Sequence, residues 1–400
     1  MTRFHARTDV GLKRRHNEDA LIALDDIGLF VVADGVGGRK AGELASALTI
    51  ETFQNHASVF AELLERFGRE PTSANRNLIL QSLLDTAQAS SRRVFETGAQ
   101  TGHEGMTTTL VAALCGGGVA FIVHVGDSRA YLLRDGALRQ LTEDHSLVNE
   151  LKAQGNPVES TGTSLRYKNV ITRAIGLYPS VQADTLAVEL LDGDRILLCS
   201  DGLTDMVSET RLLRHMRAPD TTRACESLVD EALAQGGKDN ISVVVIEPDA
   251  TLEPAAVSAR ANVMQSLFLF RDLPHAARLR VGRILTERRI HEGEIVVEQD
   301  TLGHSLFVVM QGEVAVHLDG SEVARLGAGQ HFGELALLED TTRSASIVAC
   351  TDTSLLELRR DDLRRYCATE PGVGNRILWR LIEALGERLR QSNQRQRRET

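Results

Sequence analysis

The sequence predicts an α+β chain in two parts, and three observations predict it. Up to about residue 247, short β-branched runs bounded by Gly and Asp alternate with helix-like stretches. Over residues 290–358 the pattern changes to short strand-like segments punctuated by Gly293, Gly312, Gly320, Gly327 and Gly329, the spacing of a small β-roll. Beyond them lies a helical stretch with Ile377, Leu381, Leu385 and Leu389 four residues apart.

In the first part, residues 29–33, 119–125, 196–199 and 241–246 read as buried strands, and 41–53 and 77–95 as helices. Pro248 and the Ala/Pro-containing stretch to Pro254 mark a boundary. The expected organisation is a first domain at 1–248, a linker at 249–266, a second domain at 267–390 and a polar tail at 391–400. A helix over 264–270 is expected to lead into the second domain. The helix bearing Ile377 to Leu389 reads as packing within that domain, with a homodimer seam as the other reading.

Composition narrows the function. The chain has 400 residues, 42% hydrophobic and 25% charged, enough for two or three domains with cores of their own. A net charge of −10 argues against a nucleic-acid partner, because binding phosphates requires a basic field. Cys115, Cys199, Cys225, Cys350 and Cys367 are scattered, without metal-ligand spacing, and read as buried thiols in a reducing compartment. The first residues lack the apolar core of a signal peptide, and no later run reaches membrane-spanning length. A soluble, cytoplasmic protein without a membrane partner is expected.

Three aspartates stand at strand ends. Asp34-Gly35 and Asp201-Gly202 each follow a predicted strand, whereas Asp239-Asn240 precedes one. If that last strand runs antiparallel to the other two, all three carboxylates meet at one sheet edge. Such a cluster repels itself unless one acid is protonated or divalent cations with a preference for oxygen ligands are bound. A metal site is the economical reading. Gly35 permits close backbone approach, so its carbonyl is a further candidate ligand. A single Asp-Gly is most often a turn; here the order and company of several motifs carry the case.

Those motifs are Gly11 to Asp19 with Arg14, Asn17 and Glu18; Val32-Ala33-Asp34-Gly35-Val36-Gly37-Gly38; Val125-Gly126-Asp127-Ser128-Arg129; Leu141 to Leu147 with Asp144-His145-Ser146; Cys199-Ser200-Asp201-Gly202-Leu203; and Lys238-Asp239-Asn240-Ile241-Ser242. In this order they closely resemble the metal-dependent, type 2C protein phosphatase family as far as residue 247. The resemblance implies an α-β-β-α sandwich with Mn²⁺ or Mg²⁺ between its sheets. It implies that Asp34 bridges two ions, that Gly35 offers its carbonyl to one, and that Asp201 and Asp239 bind the other. Glu18 and Asp19 would act through waters on the metals, and Arg14 would hold the substrate phosphate with its guanidinium fork. Asp127, with Asp201, matches a third, weaker ion site of bacterial members; the alternative is a structural Asp in a turn.

The implied reaction is hydrolysis of phosphoserine and phosphothreonine in proteins, the targets of serine/threonine kinases, by a water that the paired cations acidify. No cysteine is followed six residues later by the arginine that a thiolate phosphate loop requires. Asp239 after Gly237-Lys238 stands where a P-loop needs Ser or Thr. Two departures from the family stand out: Val36-Gly37 where some members carry a histidine acid, and Thr107 in place of a glycine in Met106-Thr107-Thr108-Thr109. A variable flap is expected over residues 149–168.

In the second part, Phe332-Gly333-Glu334-Leu335-Ala336-Leu337-Leu338, followed by Arg343-Ser344-Ala345-Ser346, resembles the phosphate-binding cassette of cyclic nucleotide-binding domains. A short helix through Gly333, Glu334, Leu335 and Ala336 would present backbone N–H groups to an anion, with Arg343 as countercharge. The resemblance places Glu334 on the ribose 2′-hydroxyl. Ser344 leaves cAMP and cGMP both open. Trp379 reads as core, with a cap over the base as the alternative. Only one helix and a short tail follow the roll, which disfavours a helix-turn-helix. The resulting expectation is a phosphatase regulated by a cyclic nucleotide; the alternatives are a non-catalytic sensor and a constitutive phosphatase with a ligand-free docking domain.

Overall fold

The computed structural model describes residues 2–37, 40–153, 170–249, 264, 267–338 and 340–399. The chain divides into two compact units, 1–253 and 254–400.

The first unit is built on two antiparallel sheets. One has the order β1 (Arg3–Asp9), β11 (Ile241–Glu247), β10 (Arg195–Cys199), β7 (Arg129–Arg134), β8 (Ala137–Gln140). The other runs β2 (Asp19–Leu24), β3 (Leu29–Val36), β5 (Leu110–Gly116), β6 (Val119–Val125), β9 (Asp184–Glu189), with β4 (Thr107–Thr108) also paired to β3. Side chains alternate between faces along each strand. Leu29, Val31 and Ala33 of β3 therefore join a core with Phe53, Phe60, Phe67 and Leu83 from three helices, α1 (Lys40–Asn55), α2 (Ala57–Arg69) and α3 (Ser73–Thr101). On the other sheet Leu197, Val243 and Val245 pack against Leu212 and Leu228 of helices Glu209–Met216 and Thr221–Ala234. Phe30, of opposite parity in β3, meets Phe4 of β1 with ring centroids 5.3 Å apart, which joins the sheets face to face. The result is the expected α-β-β-α sandwich.

Three expectations change. β3 continues through Asp34 and Gly35 because Gly35 pairs with Thr108 and Val36 with Thr107, so Asp34 lies within a strand and not in a turn after it. β10 and β11 are antiparallel neighbours, but β3 belongs to the opposite sheet; the acids converge between sheets, not along one edge. The helix expected over 77–95 runs from Ser73 to Thr101, capped by Thr72 and ended by Gly102 in the left-handed region. Cys115, Cys199 and Cys225 are buried as expected, but Cys350 and Cys367 are only half-buried. Among the described residues no helix is long and apolar enough to cross a membrane.

The second unit holds two four-stranded sheets. Their orders are β12 (Leu285–Ile290), β21 (Thr353–Arg359), β15 (Ser305–Gln311), β18 (His331–Phe332), and β13 (Ile295–Val297), β20 (Ser346–Ala349), β16 (Glu313–Leu318), β17 (Ser321–Gly327). Phe307, Val309, Phe332, Ile347 and Leu355 fill the space between them. Opposite-parity Leu306, Val308 and Leu356 pack with Leu363, Ile377 and Leu381 of the helices that follow. Leu267 to Phe270 forms a hydrogen-bonded turn instead of a helix. The final helix runs from Pro371 to Glu399 and absorbs the supposed polar tail. Trp379, at 66% exposed, is not core. The side chains of Leu385 and Leu389, like residues 154–168 of the expected flap, lie outside the described set.

Candidate active site and nucleotide pocket

The sandwich brings the predicted acids together from both sheets. Asp34 on β3 is register partner to Asp19 on β2. Asp201 opens a helical turn (Asp201–Thr204) directly after β10, and Asp239 stands two residues before β11. Burial, followed by the charges of Asp19, Asp201 and Asp127, raises the pKa of Asp34 well above the ordinary carboxylate range. Burial likewise pushes Asp19 and Asp201 up to about 6. For Asp127, burial and then the charge of Asp201 lift it to about 7. Four carboxylates thus feel one another in a largely dry space, the condition that favours protonation or cation binding.

The backbone holds these groups firmly. Asp34 donates its N–H to Thr109 Oγ1 at 3.0 Å, and its carbonyl accepts from the Thr108 hydroxyl at 2.8 Å and the Thr109 N–H at 2.8 Å. Asp19 Oδ2 accepts from the Ser200 hydroxyl at 2.8 Å. A Cβ on Gly35 would collide with the Gly42 carbonyl, and one on Gly42 with the Glu18 carboxylate, so both positions require glycine for α1 to approach the site. Next to Asp127, the Gly126 N–H donates to His145 Nδ1 at 3.1 Å. Thr108, Thr109, Ser200, Gly42 and His145 were not legible as functional. The first three and the last sat within quoted motifs, but only the contacts assign them work.

Arg14 reaches Asp239, Nη2 to Oδ2 at 2.7 Å, with the guanidinium half-exposed. That hydrogen bond, against a smaller opposing effect of burial, raises the Arg14 pKa. Lys13 and Arg15 are exposed.

The donor set fits hard divalent cations. It is all oxygen, burial raises the pKa of Asp19, Asp34 and Asp201, and Asp19 Oδ1 is buried without a hydrogen-bond partner. Among the described residues no three His, Cys, Asp or Glu groups are already gathered at metal-ligand range.

In the second unit a cavity of about 290 Å³ is lined by Gly333, Glu334, Leu335, Ala336, Arg343 and Ser344, together with Val297, Val316, Leu326 and Ile347. All six predicted positions therefore converge. Gly333, at φ 80°, begins a single 3₁₀ turn over Glu334–Leu337. Glu334 is buried and Ser344 exposed. Arg343 is buried, with Nη2 donating to the Ser305 carbonyl at 2.9 Å and its Cζ 5.7 Å from the Phe307 ring centre. Its Nη1 is buried without a hydrogen-bond partner, and burial lowers its pKa. A Cβ on Gly303 would stand 2.8 Å from Arg343 Nε, and one on Gly333 would strike Nη1. Two glycines thus cradle a guanidinium that has an unused donor beside a cavity, a fit for an anion.

Comparison with known proteins agrees in both units. A protein phosphatase 2C family model matches residues 13–235, and a cyclic nucleotide-binding domain model matches residues 287–370. The serine/threonine phosphatase stp of Listeria monocytogenes serotype 4b (strain F2365) is 36% identical over 249 residues, covering 61% of this chain and 95% of its own. A crystal structure of the Mycobacterium tuberculosis serine/threonine phosphatase PstP/Ppp matches with a TM-score of 0.52 and 34% identity, covering 62% of this chain and 99% of that one. The catalytic domain of PstP in complex with two manganese ions gives 0.51 and 35%, covering 62% and 97%.

Proposed function

The chain belongs to the protein phosphatase 2C family, and from that premise we propose that it removes phosphate from phosphoserine and phosphothreonine in proteins under the control of a cyclic nucleotide held by its second unit. It is a metal-dependent protein serine/threonine phosphatase. The observation that carries the catalytic reading is the convergence of Asp19, Asp34, Asp127 and Asp201 into mutual electrostatic range, with Asp239 and Arg14 paired beside them.

Asp34, Gly35, Asp201 and Asp239 would hold two cations, Mn²⁺ or Mg²⁺, and Asp127 with Asp201 would serve a third. When bound, the ions supply an acidified water and positive charge against the phosphoryl oxygens. The remaining steps belong to the chain. Arg14 leaves Asp239 to fork two oxygens of the phosphate, which orients phosphorus for in-line attack. Glu18 and Asp19, both buried, fix water and accept protons at the floor of the site. Thr108 and Thr109 keep Asp34 from moving as charge shifts across it.

Support for the regulatory reading comes from the spare Arg343 donor beside the cavity. Arg343 would take the cyclic phosphate, the 3₁₀ turn from Gly333 its remaining oxygens, and Glu334 the ribose. The apolar walls Val297, Val316 and Ile347 suit a purine and offer little to distinguish cAMP from cGMP. Turnover of a phosphothreonine peptide with Mn²⁺, with and without saturating cAMP or cGMP, tests the whole reading. A several-fold to hundredfold change is expected. Equal rates despite measured nucleotide binding would defeat the regulatory half; absence of metal-dependent turnover would defeat the catalytic half.

A further inference from the structure

Arg14 sits midway along a loop, residues 10–18, that joins β1 to β2, and its side chain is half-exposed. An exposed loop is a poor platform for a group that must meet a phosphate within a fraction of an ångström. The loop is closed at its neck by one side chain from elsewhere. Asn240, 4% exposed, donates from Nδ2 to the Val10 carbonyl at 2.9 Å and to the His16 carbonyl at 3.0 Å, while its Oδ1 accepts the Glu18 N–H at 2.8 Å. Both donor hydrogens and the acceptor of the amide are in use. The Leu12 N–H adds a bond to the Gly237 carbonyl at 2.7 Å. Gly11, at φ 77°, is pressed so close to the Asp239 carbonyl that a Cβ would collide with it, and Gly202 is pressed in the same way on the Asn240 carbonyl.

Glu18 is the far anchor of this loop. Its carbonyl accepts from the Gly35 N–H at 3.2 Å and from the Ser46 hydroxyl at 2.6 Å. The amide of Asn240 therefore connects the entry and exit of the Arg14 loop to the residue after Asp239, the carboxylate that Arg14 touches.

We infer that Asn240 is a positioning residue for phosphate recognition, acting through Arg14 by clasping the neck of the 10–18 loop. The inference rests on the phosphatase reading of the site. An Asp at this position keeps the shape but cannot donate to two carbonyls, and as a carboxylate it would repel them. An Ala takes the partner away from two carbonyls and from the buried Glu18 N–H.

The test is a double-mutant cycle in the full chain with Mn²⁺, combining Asn240→Asp with Arg14→Ala. The readouts are KM for a phosphothreonine peptide, kcat, and the inhibition constant for inorganic phosphate. Arg14→Ala is expected to raise KM and the inhibition constant about ten- to hundredfold. Asn240→Asp is expected to raise both about tenfold, with kcat less affected, and to add nothing in the Arg14→Ala background. Multiplying effects, or an inhibition constant unchanged by Asn240→Asp, would overturn the assignment.

Hydrogen exchange reads the clasp without catalysis. The Leu12 amide should exchange at least tenfold faster in Asn240→Asp, and unchanged protection there would refute the clasp even if wild-type turnover were absent. Should Asn240→Asp fail to fold, Gly11→Ala opens the same neck from the Asp239 side and should give the same kinetic signature; normal phosphate inhibition in that variant would count against the inference.

Discussion

At the scale of single residues, the site trades stability for chemistry. Burial and mutual repulsion hold Asp34 well above the ordinary carboxylate range and push Asp19 and Asp201 up to about 6. Without metal, the folded chain keeps protons on these acids that the unfolded chain has released, so their contribution to stability is fully present below about pH 4 and is lost as pH rises through about 6 and beyond. In chelator, Tm at pH 8 is therefore expected below Tm at pH 5, by on the order of 5 °C; saturating Mn²⁺ should abolish or reverse the difference, because cations favour the ionised cluster. A flat Tm in chelator would contradict the picture. The same reasoning separates function from stability at Asp34. Asp34→Asn should lower metal-dependent turnover by roughly 10²–10³-fold or more while raising Tm in chelator, since it removes the most crowded ionisable group; retained turnover would remove Asp34 from the metal site. These aspartates were readable in the sequence because Asp-Gly and Asp-Asn punctuate apolar runs. Their braces were not, because a threonine in Met106-Thr107-Thr108-Thr109 looks like any strand residue until β4 is laid beside β3.

At the scale of elements, periodicity located strands well where both faces are buried. The run at 119–125 coincides with β6, and 241–246 falls short of β11 by one residue. Periodicity failed where pairing, not side-chain character, extends an element. β3 runs through Asp34 and Gly35 because β4 satisfies its backbone groups, and no hydrophobic signal marks that. The assignment of all three acids to one edge failed for a related reason: antiparallel order between β10 and β11 can be guessed from motif order, but the sheet to which β3 belongs depends on distant partners. In the second unit the cassette was legible as a motif, whereas the glycine that makes room for it was not. Gly303 pairs with Thr341 through β14 (Leu302–Gly303) and β19 (Thr341–Thr342), and an added Cβ would press on Arg343 Nε at 2.8 Å and Cζ at 2.9 Å. Gly303→Ala should therefore weaken cyclic nucleotide binding by about tenfold or more, measured by calorimetry with cAMP and cGMP. Wild-type affinity would mean that the guanidinium does not need this cradle to reach its ligand.

At the scale of the whole molecule, the first unit has a counterpart that makes up nearly all of a relative. The Listeria relative is covered over 95% of its length by 61% of this chain, so the second unit is an addition to a catalytic domain that stands without it elsewhere. What such an addition contributes is a coupling free energy, and coupling is reciprocal. If nucleotide in the cavity changes the affinity of the carboxylate cluster for Mn²⁺ by some factor, Mn²⁺ must change nucleotide affinity by the same factor. The expected factor is about 5–150, the usual allosteric range. Calorimetric titration of Mn²⁺ with and without cAMP or cGMP, and of the nucleotide with and without Mn²⁺, measures it twice independently. Equal factors distinct from one would establish that the units share a two-state element and fix the sign of regulation. Factors of one on both sides, with each ligand still binding, would leave a phosphatase and a nucleotide-binding domain joined in one chain without communication through metal affinity, and regulation would then have to act on substrate access alone. That last case is separable as well: nucleotide would then change KM for a phosphoprotein but not for a short phosphothreonine peptide, because only the larger substrate meets surface beyond the site.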